Sequence, residues 1–240
     1  MAELASIRRH PLKGIGSEGL QEARLSPDGA LEGDRAWALL TEAGADSDAW
    51  QPRRCFAQVA SGPALAAVTA RSDGARVHLS HPARPDLALD PATDGARLID
   101  WIAPLWDRAA PLRLVRAPGH GMTDMPDPFV SIGNLASLRA LSQRAGRALD
   151  PRRFRINLWV DGWAPWAEGD LIGRTLTIGE VPLAIVEPVT RCRATEADPA
   201  TGTRNADTLG LLDQATGTQD FGLYARVAAP GTVRLGDAVT

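Results

Sequence analysis

Residues 223–235 read Leu223-Tyr224-Ala225-Arg226-Val227-Ala228-Ala229-Pro230-Gly231-Thr232-Val233-Arg234-Leu235. Leu223, Ala225 and Val227 alternate with Tyr224 and Arg226, the two-residue period of a strand with one buried face. Pro230-Gly231 suits a turn, so this stretch predicts a closing hairpin. Similar short apolar runs recur upstream at Pro182–Glu187, Thr175–Ile178, Arg155–Val160 and Leu112–Arg116. Five more fall in the first 80 residues: Leu4–Arg9, Leu20–Leu25, Arg35–Leu40, Ala64–Ala70 and Ala75–Leu79. Closely spaced short strands broken by Gly and Pro argue for a barrel or sandwich, not a parallel α/β sheet. The expected class is therefore mainly β with a few helices (α+β).

Three helices are expected. Asp94 caps a segment bearing Leu98, Trp101, Ile102 and Leu105, which Pro104 limits. Asn134 caps a second, with Leu135, Leu138 and Leu141 on one face. Asp207–Gln214 forms a third. The segment Ala117–Pro128 holds three prolines and two glycines, so it reads as a surface loop or as a lid over a site.

The chain has 240 residues, with 26 Lys+Arg against 29 Asp+Glu and a net charge of −3. This balance does not favour nucleic acid or an anionic membrane. No run approaches the ~20 apolar residues of a membrane span. The N-terminus carries charge throughout and lacks an apolar core, so it reads as no secretory signal, and the cytoplasm is the expected location. Only one of the 26 cations is lysine, Lys13. Its neighbours His10-Pro11-Leu12-Lys13-Gly14 match neither a P-loop nor a Schiff-base site, so pyridoxal phosphate is not expected.

Chemistry concentrates in four places. In Thr190-Arg191-Cys192-Arg193 two guanidiniums favour a thiolate, able to attack, carry sulfur or ligate a soft metal. In an extended strand Cys192 and the two arginines point to opposite faces, and free cysteine is commonly a small buried apolar residue, so both readings stay open. The Asp198-Pro199-Ala200-Thr201-Gly202 turn follows closely. Lys13 with Gly14 and Gly16, and Gly33-Asp34-Arg35, pair glycine turns with cations, as an anion site needs and as ordinary surface turns also do. Arg152-Arg153-Phe154-Arg155-Ile156-Asn157 is either an anion patch or a solvated edge. Cys55 reads as structural. The two cysteines and four histidines show no ligand spacing for an all-protein metal site, and a 55–192 disulfide is disfavoured in a cytoplasmic chain.

In register, these pieces resemble a known family. His10-Pro11-Leu12-Lys13, Gly33-Asp34-Arg35-Ala36-Trp37, Phe154-Arg155-Ile156-Asn157, Thr190-Arg191-Cys192 with Asp198–Gly202, and the ending Pro230–Asp237 occur in the order seen in MOSC-domain proteins. The resemblance is nearest to their amidoxime-reducing branch and covers essentially the whole chain. It implies a MOSC β-barrel (residues 111–240) packed on an N-terminal β-barrel-like subdomain (residues 1–110). It further implies a molybdenum–molybdopterin cofactor with Cys192 as catalytic residue and sole protein metal ligand. Lys13, Gly14 and Arg35 would bind its phosphate, Arg155 and Asn157 the phosphate or pterin, and Thr190 and Arg191 would line the site. Ser131 and Asn134 are further cofactor-binding candidates. The implied activity is reduction of N-hydroxylated compounds by oxygen transfer to molybdenum, with electrons from a separate ferredoxin or flavin reductase. A sulfur carrier or cofactor-handling protein using Cys192 as persulfide or ligand is the alternative. The sequence departs from the family in having Gly14 where serine is common and Ile156 where proline is common.

Overall fold

Alternation builds the largest core. Leu176 and Ile178, then Val181, Leu183 and Ile185, then Leu223, Ala225 and Val227 are buried every second residue and meet in one cluster. They belong to a computed structural model that describes residues 1–45, 47, 49–117 and 119–240. Pro118 of the expected loop lies outside the described residues.

From the N-terminus run β1 (Ala2–Arg9), β2 (Glu18–Leu20), β3 (Glu22–Ser26), β4 (Ala30–Leu31) and β5 (Trp37–Leu40). Then come β6 (Thr69–Ser72), β7 (Val77–His81), β8 (Arg84–Leu89), α1 (Gly95–Ile102) and β9 (Arg113–Arg116). The second half runs β10 (Phe129–Asn134), α2 (Leu135–Arg144), β11 (Leu158–Asp161), β12 (Thr175–Ile178) and β13 (Val181–Thr190). It ends with α3 (Thr208–Thr216), β14 (Asp220–Val227), β15 (Gly231–Arg234) and β16 (Ala238–Val239).

The main sheet has the order β11-β10-β14-β13-β12-β16-β1-β2, and β11 also pairs with β1. That last pairing closes a ring from β11 round to β1, the defining step of a barrel, and leaves β2 appended to β1 outside the ring. Only β10–β11 is parallel among its pairs; the others are antiparallel. Smaller sheets β15-β3-β4, β5-β9 and β6-β7-β8 complete the β structure. A mainly β, α+β architecture is thus what the chain adopts. A second core gathers Leu12, Leu39, Leu65, Leu79, Leu98 and Trp106, and a third joins Phe154, Trp159 and Phe221 to α2 and α3. Among the described residues no helix is long and apolar enough to cross a membrane.

All three helices form where expected, and Pro104 falls in a 3-10 turn directly after α1. Asn134 caps α2 by accepting from the Ala136 amide at 2.9 Å. Four local readings are corrected. The closing hairpin does not form: β14 pairs with β10 and β13, whereas β15 crosses to β3. β14 is taken up between two barrel strands, and β15 joins β3 and β4 in a separate sheet. Ala64–Ala70 is mostly a 3-10 turn over Pro63–Ala67, with a strand only from Thr69. Arg35 and Arg155 do not begin strands, because both hold left-handed backbones (φ 51° and 49°). Cys192 is not in a strand either: β13 ends at Thr190, and Cys192 caps a 3-10 turn over Arg193–Glu196.

Candidate functional site

Arg35 and Arg155, the two left-handed arginines, face the same cavity. It encloses about 630 Å³, within the range of small-molecule sites. The turn after β1, the Arg35 corner, the 151–157 turn before β11 and the end of β13 meet there, with the 52–59 and 123–125 loops and residues of β10 and β14 completing the wall.

The turn after β1 delivers Lys13. Its backbone amide donates to Trp37 O at 2.7 Å, while Gly14 and Gly16 supply positive φ values of 71° and 63°. At Gly14 a Cβ would lie 2.5 Å from Ala57 O, so the turn is pressed against the 57–58 backbone. The glycine found where the family often has serine is therefore demanded by this backbone. Lys13 is 3% exposed; its Nζ donates to Met122 O at 2.9 Å and to Asp124 Oδ1 at 2.5 Å. Burial pulls its pKa down, Arg35 and Arg155 add to the pull, and Asp124 opposes it.

Arg35 is held by Asp34 and by its own Nη2, which donates to Arg155 O at 3.0 Å. Burial lowers its pKa, but Asp34 and Asp124 more than offset that and the net shift is upward. Asp34 is fixed in turn by the His10 amide (2.7 Å) and faces His10 Nδ1 (3.2 Å). Although burial alone would raise it, Arg35 and His10 hold the Asp34 carboxyl far below the usual range. Arg155 donates to Gly16 O at 2.9 Å and Leu12 O at 3.3 Å. Burial, reinforced by Arg35, lowers its pKa to about 9.

Cys192 lines the cavity and is half-buried, so of the two sequence readings the small buried apolar residue is not what the structure contains. Cys55 is buried, and both thiols are free. Arg191, beside Cys192, donates to Phe154 O and Phe221 O and stacks 5.7 Å over the Phe154 ring. Burial lowers its pKa to about 10. Thr190 Oγ1 donates to Asp220 Oδ1 at 2.6 Å. Ser131 and Asn157 reach the wall but are mutually bonded: Ser131 Oγ donates to Asn157 Oδ1 at 2.9 Å and accepts from the Asn157 amide at 3.0 Å.

Lys13, Gly14, Arg35, Ser131, Arg155, Asn157, Thr190, Arg191 and Cys192, nine of the ten residues singled out from sequence, thus line one cavity. The tenth, Asn134, lies elsewhere, and its Nδ2 donates to Ala164 O and Glu168 Oε2. Of the lining residues that were given no role from sequence, Asp124, Tyr224 and Arg153 bear most on the chemistry. Asp124 sits in the loop flagged as a possible lid. Tyr224, the single tyrosine of the chain, has its pKa raised by burial and by Asp124; its rarity was the only available signal. Arg153 was quoted in the 152–157 run without a role of its own.

Seven cationic side chains and two carboxylates line the cavity, in a chain of net charge −3. Such a surplus in a semi-enclosed space attracts a multiply charged anion. Cys192 is the only thiol there, and among the described residues no group of three or more His, Cys, Asp or Glu could hold a metal. A metal held here must bring most of its own ligands, and an anionic metal–dithiolene cofactor does.

Two family profiles match the chain: the MOSC domain over residues 120–240 and the MOSC N-terminal beta barrel domain over residues 1–102. The mouse protein named mitochondrial amidoxime-reducing component 1 is 32% identical over 124 residues, 47% of this chain and 36% of that protein. Its human counterpart is 25% identical over an alignment of 289 residues, covering 98% of this chain and 82% of that protein. The first of these matches therefore spans about a third of the relative's length. The solved structure of the YuaD protein from Bacillus subtilis aligns with 99% of this chain and 93% of its own, with TM-score 0.48 and 11% identity.

Proposed function

The chain belongs to the MOSC-domain family, and from that premise we propose that it is a molybdenum-cofactor enzyme reducing N-hydroxylated compounds such as amidoximes and hydroxylamines. The observation that carries this reading is the Cys192 thiol, the one thiolate-forming group in a strongly cationic cavity. The name shared by the mouse and human relatives supports the substrate class.

When bound, the cofactor supplies two-electron oxygen-atom transfer at molybdenum. The chain's own residues bind and orient it. Cys192 is the one protein thiolate ligand. Lys13, Arg35 and Arg155 would hold its phosphate, with the Gly14 backbone as a further binding element. Thr190, Arg191, Ser131 and Asn157 shape the wall. These groups position rather than react. Residues 1–110 and 111–240 act as two packed parts of one cytoplasmic unit. Electrons come from a separate ferredoxin or flavin reductase that docks at the cavity mouth.

The test is metal and pterin analysis of protein made in a host that synthesises the cofactor. Stoichiometric molybdenum that disappears in Cys192→Ala is the expected result, followed by turnover of benzamidoxime with an artificial reductant. A cofactor-free protein carrying a persulfide on Cys192 would overturn it in favour of a sulfur carrier.

A further inference from the structure

The thiol at position 192 is clamped from both sides by one turn. On its N-terminal side Arg191 is tied to the carbonyl of Phe154 at 2.8 Å. On its C-terminal side the chain is gripped by Arg153, the residue immediately before Phe154. Arg153 Nη1 donates to Thr195 O (3.3 Å) and Glu196 O (2.9 Å), and its Nη2 donates to Asp198 Oδ2 (3.1 Å) and Asn205 Oδ1 (2.5 Å). All four acceptors lie in the segment that leaves Cys192. Thr195 also binds back to Cys192: its amide and its Oγ1 each donate to Cys192 O at 3.1 Å. The path from the Arg153 fork to the Cys192 backbone is therefore a single residue long.

We propose that Arg153 is a positioning residue for the Cys192 thiol, and that its planar fork, not its charge alone, sets where that thiol sits in the cavity. The Arg153 side chain is 1% exposed. A guanidinium this deep serves only where its donors meet acceptors, and this one meets four on a single short segment. A surface ion pair would leave the 193–205 chain free to shift. The fork ties two carbonyls and two side chains at once and fixes both height and direction of the turn. The segment is also held from its far side, since Ala197 is fully buried in the second core and Gly202 packs on Ala64. Arg153 adds to these apolar contacts the hydrogen bonds that lead directly to the Cys192 backbone. The inference rests on the proposed function only in giving the thiol a ligand to meet.

Arg153→Lys keeps the charge and loses the fork; Arg153→Gln loses both. The readout is the iodoacetamide alkylation rate of each thiol in cofactor-free protein, resolved by peptide mass. Cys55, 5% exposed, reports global opening in the same molecule. In both variants Cys192 is expected to react about tenfold faster or more, the factor matching loss of one charged hydrogen bond, while Cys55 keeps its rate. If Arg153 only stabilises the fold, both thiols accelerate together and the proposal fails; it fails equally if neither changes. Asn205→Ala removes one acceptor at an exposed residue and leaves a foldable chain if the arginine variants do not fold. A selective rise at Cys192 is again expected, and parallel or absent changes overturn the proposal. Molybdenum content of the unsubstituted protein reports separately on the proposed function.

Discussion

Lys13 Nζ lies 2.5 Å from Oδ1 of Asp124, across 111 positions of sequence. The ammonium is almost wholly buried while the carboxylate is 45% exposed, so the pair sits at the cavity wall with its anionic partner facing out. Asp124→Asn leaves that ammonium with the Met122 carbonyl. Discounted for the exposure of Asp124, the expected loss is about 1–2 kcal/mol of unfolding free energy, read from urea midpoints. Lys13→Ala is expected to lower molybdenum retention in protein from a cofactor-competent host; unchanged metal content would refute its part in holding the cofactor.

Gly14 permits a second prediction. With φ at +71° and a Cβ position 2.5 Å from a carbonyl oxygen, installing the serine common in the family does not add a hydrogen bond. Gly14→Ser is expected to cost about 2–3 kcal/mol through backbone strain and contact. A melting temperature equal to that of the parent would show that the turn tolerates a side chain.

His10 makes stability fall with acid. The ring is fully buried and its Nε2 has no hydrogen-bond partner in the structure. Burial, aided by Arg155 and Arg35, pushes its pKa down to about 3 from 6.5, against the opposing pull of Asp34. The unfolded chain therefore binds a proton that the folded one refuses between those two values. Stability is fully present above pH 6.5 and is lost as pH falls toward 3, at about 1.4 kcal/mol per pH unit once below the unfolded pKa. Asp34, with its depressed pKa, adds loss in the same direction only below its ordinary range near pH 4. Urea titrations at pH 7, 6 and 5 check the slope, and His10→Gln is expected to flatten it.

Cys192→Ala is expected to remove bound molybdenum while changing unfolding free energy by less than about 1 kcal/mol, since the residue is half-buried and its thiol is free. A large stability loss with metal retained would assign Cys192 a packing role.

Much of the site was legible because it is built from short local signatures. His10-Pro11-Leu12-Lys13, Gly33-Asp34-Arg35 and Thr190-Arg191-Cys192 each carry residue types whose chemistry is visible one position at a time. Asp124 was not legible: in sequence it is one acid in a proline-rich loop, and only its distance to Lys13 gives it meaning. Asn134 misled in the other direction. It is the helix cap its sequence position suggests: its Oδ1 accepts from the Ala136 amide, and its Nδ2 donates to Ala164 O and Glu168 Oε2, all away from the cavity. Arg153 looked like its neighbours Arg152 and Arg155, yet Arg152 pairs with Asp150 beside it while Arg153 reaches Asp198 and Asn205.

By itself the sequence determined the β-rich class, the three helices, the single lysine's conspicuous setting and the absence of an all-protein metal spacing. These follow from two- and 3.6-residue periods, from capping residues and from composition, all of which act over a few positions. Only the tertiary structure decided which strands pair, and it sent β15 to β3 instead of to β14. It alone turned Arg35 and Arg155 into left-handed corners facing one cavity, and it brought Arg153 beneath the Cys192 turn. Closing a barrel chooses partners by edge matching and shared core, free energies summed over residues far apart in the chain, and no local pattern records that sum.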